Sequence, residues 1–352
     1  MSTAVAHTKI KTQNQILLGF GLMLALVLVV SLSMGAYRIP LPQTLAILLD
    51  QIGLQVGAFE VQQANVLLQI RMPRVLMGVL VGGGLGIAGA ALQGMFRNPL
   101  VEPGLIGVSS GSALFAVIFM VLVPMTPALG WIRPIGLPIF AFAGGLIAVL
   151  AVYRLSKSQG KTDAATLILA GVAINALAGA LIGLVLFFAD DSALRSFTFW
   201  SLGDLAGATW AKIPVSLVLI AFPSLMLLFN YRNLNALALG EQEAFHMGVN
   251  VQRVKLQLLV FSALILGAGV SMVGMIGFVG LVVPHLIRIL FGADHRLVLP
   301  GSFLLGALLL NFADLIARVI VIPAEMPIGV ITALIGAPFF IWLIFNLNKS
   351  KN

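Results

Sequence analysis

Few residues of this 352-residue chain could do chemistry, and most of them stand in the wrong company for it. Gly84-Leu85-Gly86-Ile87-Ala88-Gly89 satisfies the G-x-G-x-x-G pattern of a dinucleotide-binding turn, which needs a strand before it. Here the pattern lies inside an uncharged run, where small residues serve close helix packing instead. Gly160-Lys161-Thr162 resembles the end of a phosphate-binding loop, but the required first glycine is Leu155. Neither motif supports ATP binding by this chain. His7, His246, His285 and His295 make no H-E-x-x-H pair and no metal-ligand cluster. His285 follows Pro284 and precedes Arg288 by three, which suits a structural histidine at the inner membrane boundary better than a haem or metal ligand. With no cysteine, disulfides, thiolate metal sites and thiol catalysis are excluded. No G-x-S-x-G or Ser/His/Asp set has a usable context. The expectation is therefore no catalytic residue, no metal site and no cofactor held by this chain.

Two groups of polar residues remain. Asp314 and Arg318 stand at i,i+4 in the acid-to-base order that suits a helical pair. An ionisable pair near a membrane segment is a functional candidate, for example as a proton relay. Arg318 is expected near the outer boundary, in reach of water, where it would join Arg71 and Arg74 in an external basic patch; the plainer reading is snorkelling arginines. The second group is the loop 234–250, in which Leu237, Phe245 and Met247 stand among polar residues, with Gly240 before Glu241 and Gly248 near the end. It reads as one or two short amphipathic helices, either lying on the membrane or docking a cytosolic partner.

The elements that must position these residues are membrane helices. The chain is 60% hydrophobic and 9% charged, with mean hydropathy +1.09. A soluble domain carries about 25% charged residues, so this chain is a polytopic, all-α membrane protein. Its net charge of +8 is not clustered on one element, which argues against nucleic acid. The first apolar run, 16–34, is longer than the roughly 7–15 residues of a signal-peptide core and is read as a retained helix. Nine uncharged intervals have spanning length, and the longest, 256–287, is broken by Gly277, Gly280 and Pro284. Basic residues near both ends (Lys9 and Lys11; Lys349 and Lys351) place both termini in the cytoplasm, which requires an even number of crossings.

The count is therefore about ten helices in one domain covering 1–352: 12–37, 62–96, 108–124, 134–157, 164–188, 212–230, 252–275, 281–291, 296–320 and 327–347. Thirteen basic residues then fall inside and seven outside. The run Val75 to Phe96 crosses with small residues at Gly82, Gly86 and Ala90, a face built for close packing. A shift of 185 brings Gly82, Gly84, Gly89 and Pro99 onto Gly267, Gly269, Gly274 and Pro284, which predicts an inverted internal repeat.

The chain resembles the FecCD-like permease subunits of bacterial type II ABC importers for iron–siderophore, haem and cobalamin complexes. The matching stretches are RMPR (71–74), LQGMFRNPLVEPGLIGVSSGSA (92–113), LILAGVAIN (167–175), LALGEQEAFHMGV (237–249), GMIGFVGLVVPHLIR (274–288), DHRLVLPG (294–301), ADLIAR (313–318) and PAEMPIGVITALIGAPFFIWL (323–343). They cover nearly the whole chain in family order.

The resemblance implies ten helices per subunit and a homodimer in the bacterial inner membrane with the pathway between subunits. It implies two separate ATPase subunits, which carry the ATP and Mg, and a periplasmic or lipid-anchored binding protein that delivers the ligand. Residue by residue, Arg71, Arg74 and Arg318 match docking arginines for acidic side chains of the binding protein. Leu239, Gly240, Glu241, Ala244 and Gly248 match the coupling helices, and Asn98 and Leu100 match a cytoplasmic gate. A second gate carries hydroxyl residues in some relatives, where this chain has Ala164 and Ala165, so that gate is left open. The stretch LRSFTFWSLGDLAGATW (194–210) resembles haem permeases, with Asp204 in place of an expected Ser. Haem is the ligand expected first, ferric siderophore second and cobalamin behind. The rival readings are an ion-coupled secondary transporter using Asp314, and an intramembrane enzyme, for which no paired catalytic groups are found.

Overall fold

The computed structural model describes residues 2–123, 133–158, 161–162, 164–322 and 324–349, with side chains described over 11–123, 135–157, 165–322 and 324–341. Within these, the regular secondary structure is helical except for one two-residue pairing, Lys157–Ser158 with Lys161–Thr162. Gly160 and Lys351 lie outside the described residues, as do the side chains of His7, Lys9, Arg133, Lys161, Ala164 and Lys349.

The helices, in chain order, are α1 (Ser2–Ser33), α2 (Leu41–Asp50), α3 (Val61–Phe96), α4 (Val108–Leu122), α5 (Arg133–Leu155), α6 (Ala164–Phe187), α7 (Asp191–Ser201), α8 (Ile213–Leu228), α9 (Tyr231–Leu239), α10 (Glu241–His246), α11 (Val251–Val273), α12 (Val279–Phe291), α13 (His295–Val319) and α14 (Ile328–Lys349). Six of these contain a stretch long and apolar enough to cross a membrane, in α1, α3, α5, α6, α11 and α13; the pair α8 and α9, bent by 55°, makes a seventh if taken as one span. Shorter apolar helices at α4 and α12, and the described apolar stretch Ile328–Ile341 of α14, stand where further crossings were expected. A count of ten is thus not reached on length and apolarity among the described residues. At α4 and α12 the reason is physical: glycine and proline breaks shorten these segments, so that hydropathy alone cannot separate a crossing from a re-entrant turn.

The bundle is organised around α3, whose residues from Met72 onward are almost all buried. Its glycines explain how. A Cβ at Gly82 would come within 2.5 Å of the Gly306 carbonyl oxygen, and one at Gly86 or Gly89 would overlap the carbonyls of Ser302 and Gly280. Backbone therefore packs on backbone between α3 and both α12 and α13, the close approach that small residues allow in a membrane. The G-x-G-x-x-G stretch is part of this seam. A π-turn over Val66–Arg71 opens α3 near its start, and the Trp210 indole donates to the Leu68 carbonyl at 2.8 Å.

The two proposed repeats share an order of parts: a long helix, an irregular break, then a short helix. In the first, α3 ends at Arg97 (φ +51) and α4 begins after Gly107 (φ +85). In the second, α11 ends at Gly274 (φ +76) and α12 begins after Phe278 (φ +67). Pro99 lies in the first break, whereas Pro284 lies inside α12, so the fixed shift of 185 does not superimpose the two breaks residue for residue.

Candidate functional site

The three arginines of the expected outer patch do converge, but not on the surface. Arg71, Arg74 and Arg318 are each about 95% buried. Arg74 donates from Nε to Asp314 Oδ1 at 2.9 Å and from Nη1 to both oxygens of Glu325 at 2.9 and 3.1 Å. Arg318 Nε lies 3.0 Å from Asp314 Oδ2, and its Nη2 reaches the Ser31 carbonyl and hydroxyl. Arg71 donates to the Leu32 carbonyl at 2.6 Å and to the Tyr37 carbonyl.

This corrects the expectation that Arg318 reaches water and that the three form an exposed basic patch. A guanidinium inside a bundle needs a counter-charge and full hydrogen bonding, and Asp314, wholly buried, supplies it to two arginines at once. The i,i+4 pair read from the sequence is present, and Asp314 serves there as a shared counter-ion. Sequence reasoning missed Glu325, Ser31 and Tyr37. Three arginines against one aspartate was the available signal that a second carboxylate was needed.

At the other end of the bundle, α9 and α10 meet at a knuckle. Gly240 there has φ +130 and ψ 153, a conformation essentially confined to glycine, and it lets the two helices turn sharply. Leu234, Leu237 and Ala244 face inward and are buried, while Leu239, Phe245 and Met247 are exposed. Below the knuckle, Asn235 donates to Asp294 at 2.9 Å and accepts from the His295 backbone N–H at 2.9 Å. Glu241 reaches Lys255 at 2.6 Å, tying α10 to the first turn of α11. An open groove of about 930 Å³, lined by Glu241, Phe245, His246, Gly248 and neighbouring residues to Gln252, lies beside it.

Asn98 and Leu100 sit in the break after α3, both exposed, with the Leu100 N–H bonded to Asn98 Oδ1 at 2.9 Å. This break leads into a cavity of about 580 Å³ between the start of α4, α6 and the break Met275–Phe278. Its lining is mostly apolar (Phe197, Leu266, Val270, Met275, Phe278), with Glu102, Ser109, Ser110, Asn175 and Ser201 as polar members. Ser110 donates to Asn175 Oδ1 at 2.6 Å, and Asn175 donates to the Gly104 carbonyl at 3.3 Å, so the elbow before α4 is pinned to α6. Ala165 is exposed at the start of α6. Asp204 accepts from the Ala206 N–H at 2.7 Å and so shapes a local turn. His285 is buried within α12. No group of three or more metal-binding side chains occurs among the described residues.

The FecCD transport family matches residues 23–346. The hemin transport system permease protein HmuU of Yersinia pestis is 46% identical over 82% of this chain and 85% of its own length. The cobalamin import system permease protein BtuC of Halobacterium salinarum is 42% identical over 83% of this chain and 76% of its own. Among solved structures, an inward-facing conformation of a metal-chelate type ABC transporter aligns with TM-score 0.81 and 34% identity, covering 95% of this chain and 99% of that one.

Proposed function

Because the chain belongs to the FecCD transport family, we propose that it is the permease through which an ABC importer passes haem across the bacterial inner membrane. The chain is a transport subunit of an importer class that serves haem, siderophores or cobalamin, working with ATPase and substrate-binding partners. The observation that carries haem is the 46% identity to a hemin permease. The 42% identity to a cobalamin permease supports the second reading, with ferric siderophore as a third.

In this reading two copies of the chain enclose the pathway, with both termini on the cytoplasmic side. Leu239, Gly240, Glu241 and Gly248 form the surface that docks an ATPase subunit, which carries ATP and Mg, while Ala244, expected in that surface, is wholly buried and seats α10 on the bundle. What supports this is an apolar, exposed tip on a helix knuckle whose base is bonded into the bundle. Asn98 and Leu100 close the cytoplasmic end of the cavity, and closure of the ATPase pair moves them through α10 and α11. Arg71, Arg74 and Arg318 receive acidic side chains of the binding protein at the outer end. The ion-coupled alternative loses its carrier residue, since Asp314 is engaged by two guanidiniums.

The test is competition. In proteoliposomes holding the permease, its ATPase and a loaded binding protein, excess unlabelled haemin is expected to suppress labelled haemin uptake. Cyanocobalamin and a ferric siderophore are expected to leave it unchanged. Uptake of either of those in place of haemin would replace the ligand assigned here.

A further inference from the structure

Among the described residues the outer charge cluster holds three arginines but two carboxylates, so it carries one positive charge more than it neutralises. Four of its five members are buried to about 95% or more; the Glu325 side chain is 43% exposed. The two carboxylates are also held differently. Asp314 lies inside α13 and cannot leave without breaking the helix. Glu325 stands in the connection between α13 and α14, where its neighbour Met326 bonds back to the Ala317 carbonyl at 3.0 Å. Glu325 is thus the member of the cluster that can swing into water, and Arg74 Nη1 is the donor group it would uncover.

A guanidinium left buried without a counter-charge is strongly disfavoured. Once Glu325 leaves, two carboxylate-seeking arginines share Asp314 and a third has only carbonyl partners, so the vacancy selects another carboxylate. We infer that Glu325 is an intramolecular stand-in for an acidic side chain of the docking protein. Docking then proceeds by exchange on Arg74: Glu325 moves out to water as the partner's carboxylate takes its two hydrogen bonds. This rests on the assignment of the arginines as the docking site, and it explains how buried arginines can serve one. It also makes docking reversible, because one carboxylate replaces another and the cluster's net charge is the same before and after.

Two measurements test it. The first needs no partner: phenylglyoxal modification of the permease in nanodiscs, read by mass spectrometry at Arg74, Arg71 and the exposed Arg38. Glu325→Gln is expected to raise the Arg74 rate about tenfold relative to Arg38 and to leave Arg71 protected, the size of effect that one lost charged partner has. An unchanged Arg74 rate overturns the proposal, and so does a matching rise at Arg71, which would mean general loosening.

The second uses the binding protein that supports uptake in the reconstitution above. Glu325→Gln is expected to tighten its docking by about tenfold, and Arg74→Glu to weaken it at least as much. Docking that ignores Arg74→Glu removes the docking site itself. Docking that responds to Arg74→Glu but is unchanged or weakened by Glu325→Gln removes the exchange alone.

Discussion

Glu241 and Lys255 meet at 2.6 Å where the α9–α10 knuckle joins the bundle, with the ammonium almost fully buried and the carboxylate near the surface. This pair spans only fourteen positions, but it fastens α10 to a helix that runs on to Leu266 and Val270 in the cavity wall and ends at the Gly274 break. In the proposed mechanism, movement of α10 would be handed to the cavity along this helix.

Lys255→Met should therefore leave the ATPase bound while lowering transported ligand per ATP by roughly tenfold, the span of typical coupling energies. The exchange Glu241→Lys with Lys255→Glu should recover part of it. Uptake and hydrolysis measured on the same vesicles check this; an unaltered ratio for Lys255→Met would sink it.

The knuckle itself depends on Gly240. At φ +130 and ψ 153 a side chain is excluded, so Gly240→Ala should cost about 1–3 kcal/mol locally and reduce ATPase activity stimulated by loaded binding protein. Gly248→Ala, at φ +84, should do the same more weakly, at about 1 kcal/mol. Equal and full stimulation in both variants would contradict the placing of the docking surface.

Asp314 holds two guanidiniums from a fully buried position. Asp314→Asn should lower thermal stability in detergent by the equivalent of about 3–5 kcal/mol, because two buried cations lose their shared counter-charge. A thermal unfolding curve superimposable on that of the wild type would show that the pair is not structural.

The α3–α13 seam makes a further prediction. Gly86→Val drives a side chain into the Ser302 carbonyl and should destabilise by about 1–3 kcal/mol or more, seen as a lower unfolding temperature. Gly183→Val, where nothing lies within 4 Å, is the matched control and should have little effect.

These residues also mark what the sequence alone could say. The buried seam was legible because Gly82 and Gly86 repeat every four positions, and only one face of a helix can use that spacing. The α9–α10 knuckle was legible from Gly240, and its exposed apolar tip from Phe245 and Met247, apolar residues standing in a polar loop. The charge cluster was legible only in part. Arg71, Arg74 and Arg318 could be assigned to one end by topology, but topology does not say which carboxylate faces which guanidinium. Glu325 lies 251 positions from Arg74, and nothing local to either residue announces the pair. The crossings were the least legible, because α4 and α12 are short apolar helices interrupted or preceded by Gly and Pro, and those residues cut down the length that hydropathy measures.

The most direct test of the account is haemin uptake into proteoliposomes carrying the permease, its ATPase and haemin-loaded binding protein, with ATP or a non-hydrolysable analogue inside the ATPase-facing compartment. The account predicts accumulation with ATP, none with the analogue, and none with an ATPase subunit that cannot hydrolyse. Haemin accumulation that proceeds equally without hydrolysis would contradict it.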